Sequence, residues 1–189
     1  MKKAITALVV IAALQVSAVA QTLWKGDPAH SRIAFSITHL GISEIVGAFN
    51  EFDVTIRAAK PDFSDAVFEL SIETASIDTA VQKRDDHLRS GDFFEVEKYP
   101  KITFRSKSIE PAGKDRFKLS GDLTIRDQTK PVTMDLWFRG TTTNQKNTTS
   151  GFQLTGTLKR SDFGVGPKFP APMISDELSI KADGEFIKQ

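Results

Sequence analysis

The three histidines, His30, His39 and His87, are the side chains here best suited to proton transfer or metal ligation. His30 follows Asp27-Pro28 by two residues, so an imidazole and a carboxylate share one turn, the pairing that acid–base chemistry uses. No nucleophile accompanies them in a recognisable motif: the sequence has neither G-x-S-x-G nor H-E-x-x-H. The spacing of the three histidines does not match a helical metal-ligand pair. The chain has no Cys, which excludes disulfides, a thiolate zinc site, a cysteine nucleophile and a lipidated N-terminal Cys. Arg84, Asp85, Asp86, His87 and Arg89 are dense in charge. Their ordinary reading is a solvated helix face with internal ion pairs, and their functional reading is a mouth that meets a charged head group. Arg160 and Asp162 flank the step into Phe163-Gly164 and are expected to lock that turn. No catalytic residue, metal or cofactor is expected.

What must position these groups follows from pattern. At 189 residues, 40% apolar and 26% charged, the chain is long enough for one globular domain and too apolar for disorder. A net charge of +1 makes no case for a nucleic-acid partner. Residues 1–20 read as a cleaved signal peptide: Lys2 and Lys3, an apolar run from Ala4 to Leu14, then Ala18-Val19-Ala20 before the cut. No later stretch approaches the ~20 apolar residues of a membrane helix. Residues 21–189 are therefore expected to be one exported domain, periplasmic or secreted, and not an integral membrane protein. Monomer and homodimer both remain open.

Most of that domain alternates with period 2, the mark of strands with one wet face. Eight runs do so, centred on residues 32–39, 52–56, 68–73, 102–107, 117–125, 132–139, 152–158 and 178–186. Short turn signals at 111–115 and 127–129 favour antiparallel neighbours, since parallel pairing needs long crossovers. Thr79–Ser90 breaks the pattern and predicts a helix, capped by Asp78 and ended by Gly91, with Phe93 and Phe94 anchoring it. Gly164–Ser175, with three prolines, predicts a loop.

Eight half-apolar antiparallel strands either stack as two sheets or close into a barrel. A barrel of eight strands just fills its interior or holds one small ligand. Fourteen Phe against one Tyr make the enclosed face greasy, and eight of them fall on the inner parity: Phe35, Phe52, Phe68, Phe104, Phe117, Phe138, Phe152 and Phe186. Either these rings fill a plain core or they line an apolar tube. For the tube, strand parity selects Phe35, Ile37 and His39 on the first run, with Phe52 on the second. Phe68, Leu70 and Phe104 follow on the third and fourth, and Leu119 and Leu123 on the fifth. Met134, Leu136 and Phe138 face in from the sixth, Phe152 and Leu154 from the seventh, and Ile180 from the eighth. Leu136→Trp is expected to block such a tube.

Several segments resemble the YceI-like family of lipid- and polyisoprenoid-binding proteins. The first is Trp24 with Asp27-Pro28-Ala29-His30-Ser31, Phe35, His39-Leu40-Gly41, Gly47 and Phe49. Then come Ser76-Ile77-Asp78-Thr79, Arg84-Asp85, His87-Leu88, Asp92-Phe93-Phe94 and Tyr99-Pro100-Lys101-Ile102-Thr103-Phe104. The last are Gly121–Arg126, Thr129–Val132, Arg160–Val165 and Ser175-Asp176. The resemblance implies an all-β, lipocalin-like, eight-stranded antiparallel barrel, over which the short helix read at residues 79–90, between strands three and four, is the natural candidate for a lid. It also implies an elongated pocket for a long-chain amphiphile such as an isoprenoid, and a periplasmic or secreted location. It implies no catalytic site.

The leading expectation is therefore an exported, non-enzymatic carrier of a long-chain isoprenoid or fatty-type amphiphile, a quinone among the candidates. The rivals are a lipid-modifying enzyme using His30 or His39 in the same barrel, and a packed β-domain acting through its surface.

Overall fold

The alternating runs pair in the order in which they occur along the chain. The computed structural model describes residues 20–189; the expected signal peptide, apart from Ala20, lies outside the described residues. The strands are β1 (Thr22–Gly26), β2 (Arg32–His39), β3 (Ser43–Phe49), β4 (Phe52–Ala58), β5 (Val67–Glu73) and β6 (Ile77–Asp78). After the helix α1 (Gln82–Arg89) come β7 (Lys101–Gly113), β8 (Arg116–Ile125), β9 (Gln128–Thr143), β10 (Thr148–Lys159) and β11 (Ile174–Lys188).

Eleven strands make eight walls. β1 and β2 both pair antiparallel with β11, so they run in the same direction, interrupted by the turn Pro28–His30. β3 pairs with β2 and β4 with β1, which makes β3 and β4 one wall bent at Asn50-Glu51. β5 and β6 continue one another beside β4 and β3. β7 to β11 follow as single long strands, and β11 closes on the first wall. Each wall neighbours the next in sequence, the up-and-down meander of a closed barrel. Of the two arrangements that the alternation allows, the closed one is the observed fold, the all-β, eight-stranded antiparallel barrel that the family resemblance implies, with α1 between the third and fourth walls.

Two local readings are corrected. The helix begins at Gln82, with Val81 at its N-cap and no side chain capping it. Asp78 instead accepts from the Ala80 N–H at 2.8 Å, and Asp85 reaches back to the Thr79 N–H at 2.9 Å. A carboxylate inside the helix thus satisfies backbone ahead of it, and the helix starts one turn later than Asp78 suggests. The second correction is β1 and β3, which the alternation did not mark as strands. Gly47 and the exposed Val46 interrupt the pattern in β3, and β1 is only five residues long.

The interior divides into two halves. In one, Phe63 from the β4–β5 loop enters the barrel and is 1% exposed. Its ring packs 5.0 Å from Phe152, 5.1 Å from Phe138 and 5.2 Å from Trp24, centroid to centroid. Asp65 holds the loop by accepting from the N–H groups of Ala59 and Lys60 at 2.9 and 3.1 Å. Phe63 adopts φ 58°, and burying a whole phenyl ring, worth about 1.5–3 kcal/mol, offsets a left-handed backbone that costs roughly 1–2 kcal/mol. This half is a solid aromatic plug. The other half holds a second cluster, around Phe49, Ile77, Phe93, Ile102, Phe163 and Val165, which surrounds open space. All eight inner-parity phenylalanines belong to one cluster or the other.

Candidate ligand cavity

The open half is a cavity of about 550 Å³, within the usual ~300–1,000 Å³ range of small-molecule sites. Its walls are the ends of strands that share one end of the barrel. Ile102 lies at the start of β7, Ile125 at the end of β8, Leu158 near the end of β10 and Leu178 near the start of β11. β2 and β3 contribute Phe35, Ile37, His39, Ile45 and Phe49. Gly47 lets the Phe35 ring lie against the β3 backbone, since a Cβ there would stand 2.4 Å from Phe35 Cζ.

The mouth is built by α1, the segment after it and the loop before β11. Leu88, Phe93 and Phe94 come from the first two, and Phe163, Val165, Phe169 and Met173 from the last. The His87 ring meets Phe93 edge-on at 5.1 Å and Phe169 at 5.5 Å. Asp92 bridges the two sides, accepting from Lys168 Nζ at 2.7 Å and lying 3.0 Å from His87 Nε2. The Lys168 hydrogen bond, then that of His87, holds the Asp92 carboxyl below its ordinary pKa. Leu40, Ile42 and Met173 stand exposed on this rim, and the Leu40 N–H donates to the Met173 carbonyl.

Arg160 locks the loop as expected, and it does so with its whole guanidinium. Nε donates to the Ser175 carbonyl, Nη1 to those of Val165 and Gly166, and Nη2 to those of Phe169 and Ile174. Five N–H donors meet five carbonyls, the full capacity of the group. Asp162 takes no part in this set. Its neighbour Ser161 is instead tied to Asp176, with the Ser161 hydroxyl donating at 2.8 Å.

Of the fifteen side chains selected by parity, Phe35, Ile37, His39 and Ile180 line the cavity. Phe52, Leu70, Phe104 and Leu123 pack in the surrounding cluster. Phe68, Leu119, Leu136, Phe138, Phe152 and Leu154 belong to the plug. Met134 is buried where a Cβ on Gly156 would lie 2.1 Å from its sulfur. Leu136 is 2% exposed and its cluster is that of Phe63, so the tube-blocking role expected of Leu136→Trp is corrected: that indole would overpack the plug. Parity reported which side chains face in but not how far along the barrel the filled part extends. The missed lining residues carried a usable signal, since those on β7, β8, β10 and β11 all lie at the strand ends nearest α1 and the proline loop.

The histidines do not converge. His30 sits outside the cavity with its Nδ1 2.8 Å from Asp27 Oδ2 at the β1–β2 junction, whereas His39 and His87 line the cavity. The Asp27 hydrogen bond and the Asp27 and Glu185 charges raise the pKa of His30. Ser43 lies opposite His39 in the β2–β3 ladder, and no hydrogen bond joins their side chains among the described residues.

Among the described residues no helix is long and apolar enough to cross a membrane. Comparison with known proteins agrees with the barrel. UPF0312 proteins of Staphylococcus aureus strains MSSA476 and MW2 are each 35% identical over 166 residues, 85% of this chain and 94% of theirs. The crystal structure of Burkholderia cenocepacia BcnA superposes with a TM-score of 0.76 at 26% identity, covering 85% of this chain and 98% of that one. The Campylobacter jejuni YCEI protein gives 0.74 at 30% identity, covering 80% and 90%. A polyisoprenoid binding domain from Saccharophagus degradans shares the fold at 13% identity, with a TM-score of 0.67 and coverage of 89% and 99%. The YceI-like domain family matches residues 24–186, from Trp24 in β1 to Phe186 in β11, so the match spans every wall of the barrel and the chain belongs to that family.

Proposed function

We propose that this protein is an exported, non-enzymatic carrier that holds one long-chain amphiphile, an isoprenoid or similar lipid, in the open half of its barrel. The observation that carries the reading is the half-filled interior: an aromatic plug at one end and about 550 Å³ of apolar-walled space at the other. A prenyl or acyl chain is sparingly soluble in water, and burying ten methylene-sized groups offers about 8 kcal/mol before the costs of association. Apolar walls discriminate poorly between chain lengths, because one methylene is worth only ~1–3 kcal/mol. A ligand class rather than one molecule is therefore expected, and a quinone with an isoprenoid tail belongs to it. The polyisoprenoid binding of the Saccharophagus degradans domain, which has the same fold, is in keeping with this class. The leader pattern at residues 1–20 supports export to the periplasm. α1 serves as the lid, since Arg84, His87 and Leu88 stand at the mouth.

Native mass spectrometry of the purified protein, followed by solvent extraction, tests the reading. A co-purifying amphiphile, or stoichiometric uptake of an added one, is the expected result. A protein that arrives empty and takes up none would end it. Replacing His30 and His39 together should leave lipid binding in place, whereas a lipid-modifying enzyme using either as its base would lose turnover.

A further inference from the structure

The polar part of the cavity lining is one-sided. Arg84, Lys159, Arg160, His39 and His87 line it, and no Asp or Glu does among the described residues. The two buried or half-buried arginines differ in what they have left to offer. Arg160 has all five N–H groups on backbone carbonyls, so it contributes charge and no free donor. Arg84 is half-buried and anchored only through Thr79: Nε donates to the hydroxyl and Nη2 to the carbonyl, each at 2.7 Å. Nη1 and the second N–H of Nη2 have no hydrogen-bond partner, and no carboxylate lies within ion-pair distance, among the described residues. Asp85 lies behind it, with Oδ1 engaged by the Thr79 N–H and hydroxyl, so one hydroxyl separates its carboxylate from the guanidinium. Asp92, which bridges the mouth, is held by His87 and Lys168.

A guanidinium fixed on two sides, with three N–H donors free at the wall of an apolar cavity, is arranged to receive oxygen atoms of a negative group. We propose that Arg84 forms a head-group subsite for an anionic oxygen head, a carboxylate or a phosphate, on the long-chain guest, with Lys159 supplying a second positive charge. The inference rests on the carrier reading and narrows it: a guest with an acidic head is preferred to a neutral one of equal chain.

The test uses the delipidated protein and displacement of an apolar dye by matched probes: palmitate against hexadecanol, and geranylgeranyl monophosphate against geranylgeraniol. A charge-assisted contact predicts that at least one acid binds about tenfold or more tightly than its alcohol. Which acid gains more separates a fatty acid from a prenyl phosphate. Arg84→Gln should bring the acid-to-alcohol affinity ratio down to about one, and Arg84→Lys should retain part of the preference. Circular dichroism and alcohol binding confirm that each variant is folded. Equal affinity for acid and alcohol in the wild type, or a preference that survives Arg84→Gln, overturns the proposal with the carrier reading intact. A protein that binds none of the four probes overturns the carrier reading itself.

Discussion

The rings of Phe93 and Phe169 stack face to face, with centroids 4.9 Å apart and planes 11° from parallel. Phe93 follows α1, and Phe169 sits in the proline loop before β11, so one aromatic contact joins the two flaps of the mouth. The Asp92–Lys168 ion pair spans the same seam. Phe169→Ala removes a contact worth about 0.5–1.5 kcal/mol beyond its buried area. The expected outcome is faster amide hydrogen exchange over residues 82–94 and faster release of bound dye, with the plug half unaffected. Unchanged exchange in that segment would mean that the stack does not hold the lid.

Phe63→Ala should be the most damaging single truncation in the barrel, costing about 3–5 kcal/mol, because three aromatic partners lose the ring they close around. The denaturant midpoint should fall accordingly. Affinity for an apolar dye should stay within a few-fold of wild type, since Phe63 is not part of the cavity lining.

Two tryptophan substitutions separate plug from cavity. Ile180→Trp projects into the lining and should abolish dye uptake at little cost in melting temperature. Leu136→Trp forces volume into packed rings and should cost about 1–3 kcal/mol while uptake persists. The reverse pattern would place the hollow in the wrong half of the barrel.

His30 should titrate above its ordinary value of 6.5, because Asp27 stabilises the imidazolium. A group whose pKa is raised by folding contributes its stabilisation fully below the unfolded value and loses it as pH rises through the folded one. The junction between β1 and β2 is therefore expected to be tightest on the acid side of neutrality. Proton NMR of the His30 ring reads the shift directly, and Asp27→Asn should return it toward 6.5.

Much of this architecture is legible along the chain. Period-2 alternation from Arg32 to Phe186 marks every wall, and the turn signals order them, because a strand with one wet face must place alternate side chains on opposite sides. The charged stretch around Arg84 and the proline-rich stretch around Phe169 stand out as the non-strand pieces that come to frame the mouth. Less legible were Asp85, which takes the backbone role expected of Asp78, and β3, whose alternation Gly47 and the exposed Val46 disguise.

Which half of the barrel is hollow was settled only by folding in three dimensions. Phe63 sits in a loop, outside any alternation, and nothing local says that its ring will travel inward to fill one end. Ile37 and Leu136 have the same parity and similar size, yet one faces open space and the other a phenyl-packed plug. Alternation encodes direction across a sheet but carries no coordinate along the barrel axis. That coordinate is fixed by stagger between walls and by what the loops insert, which are relations between residues far apart in the chain.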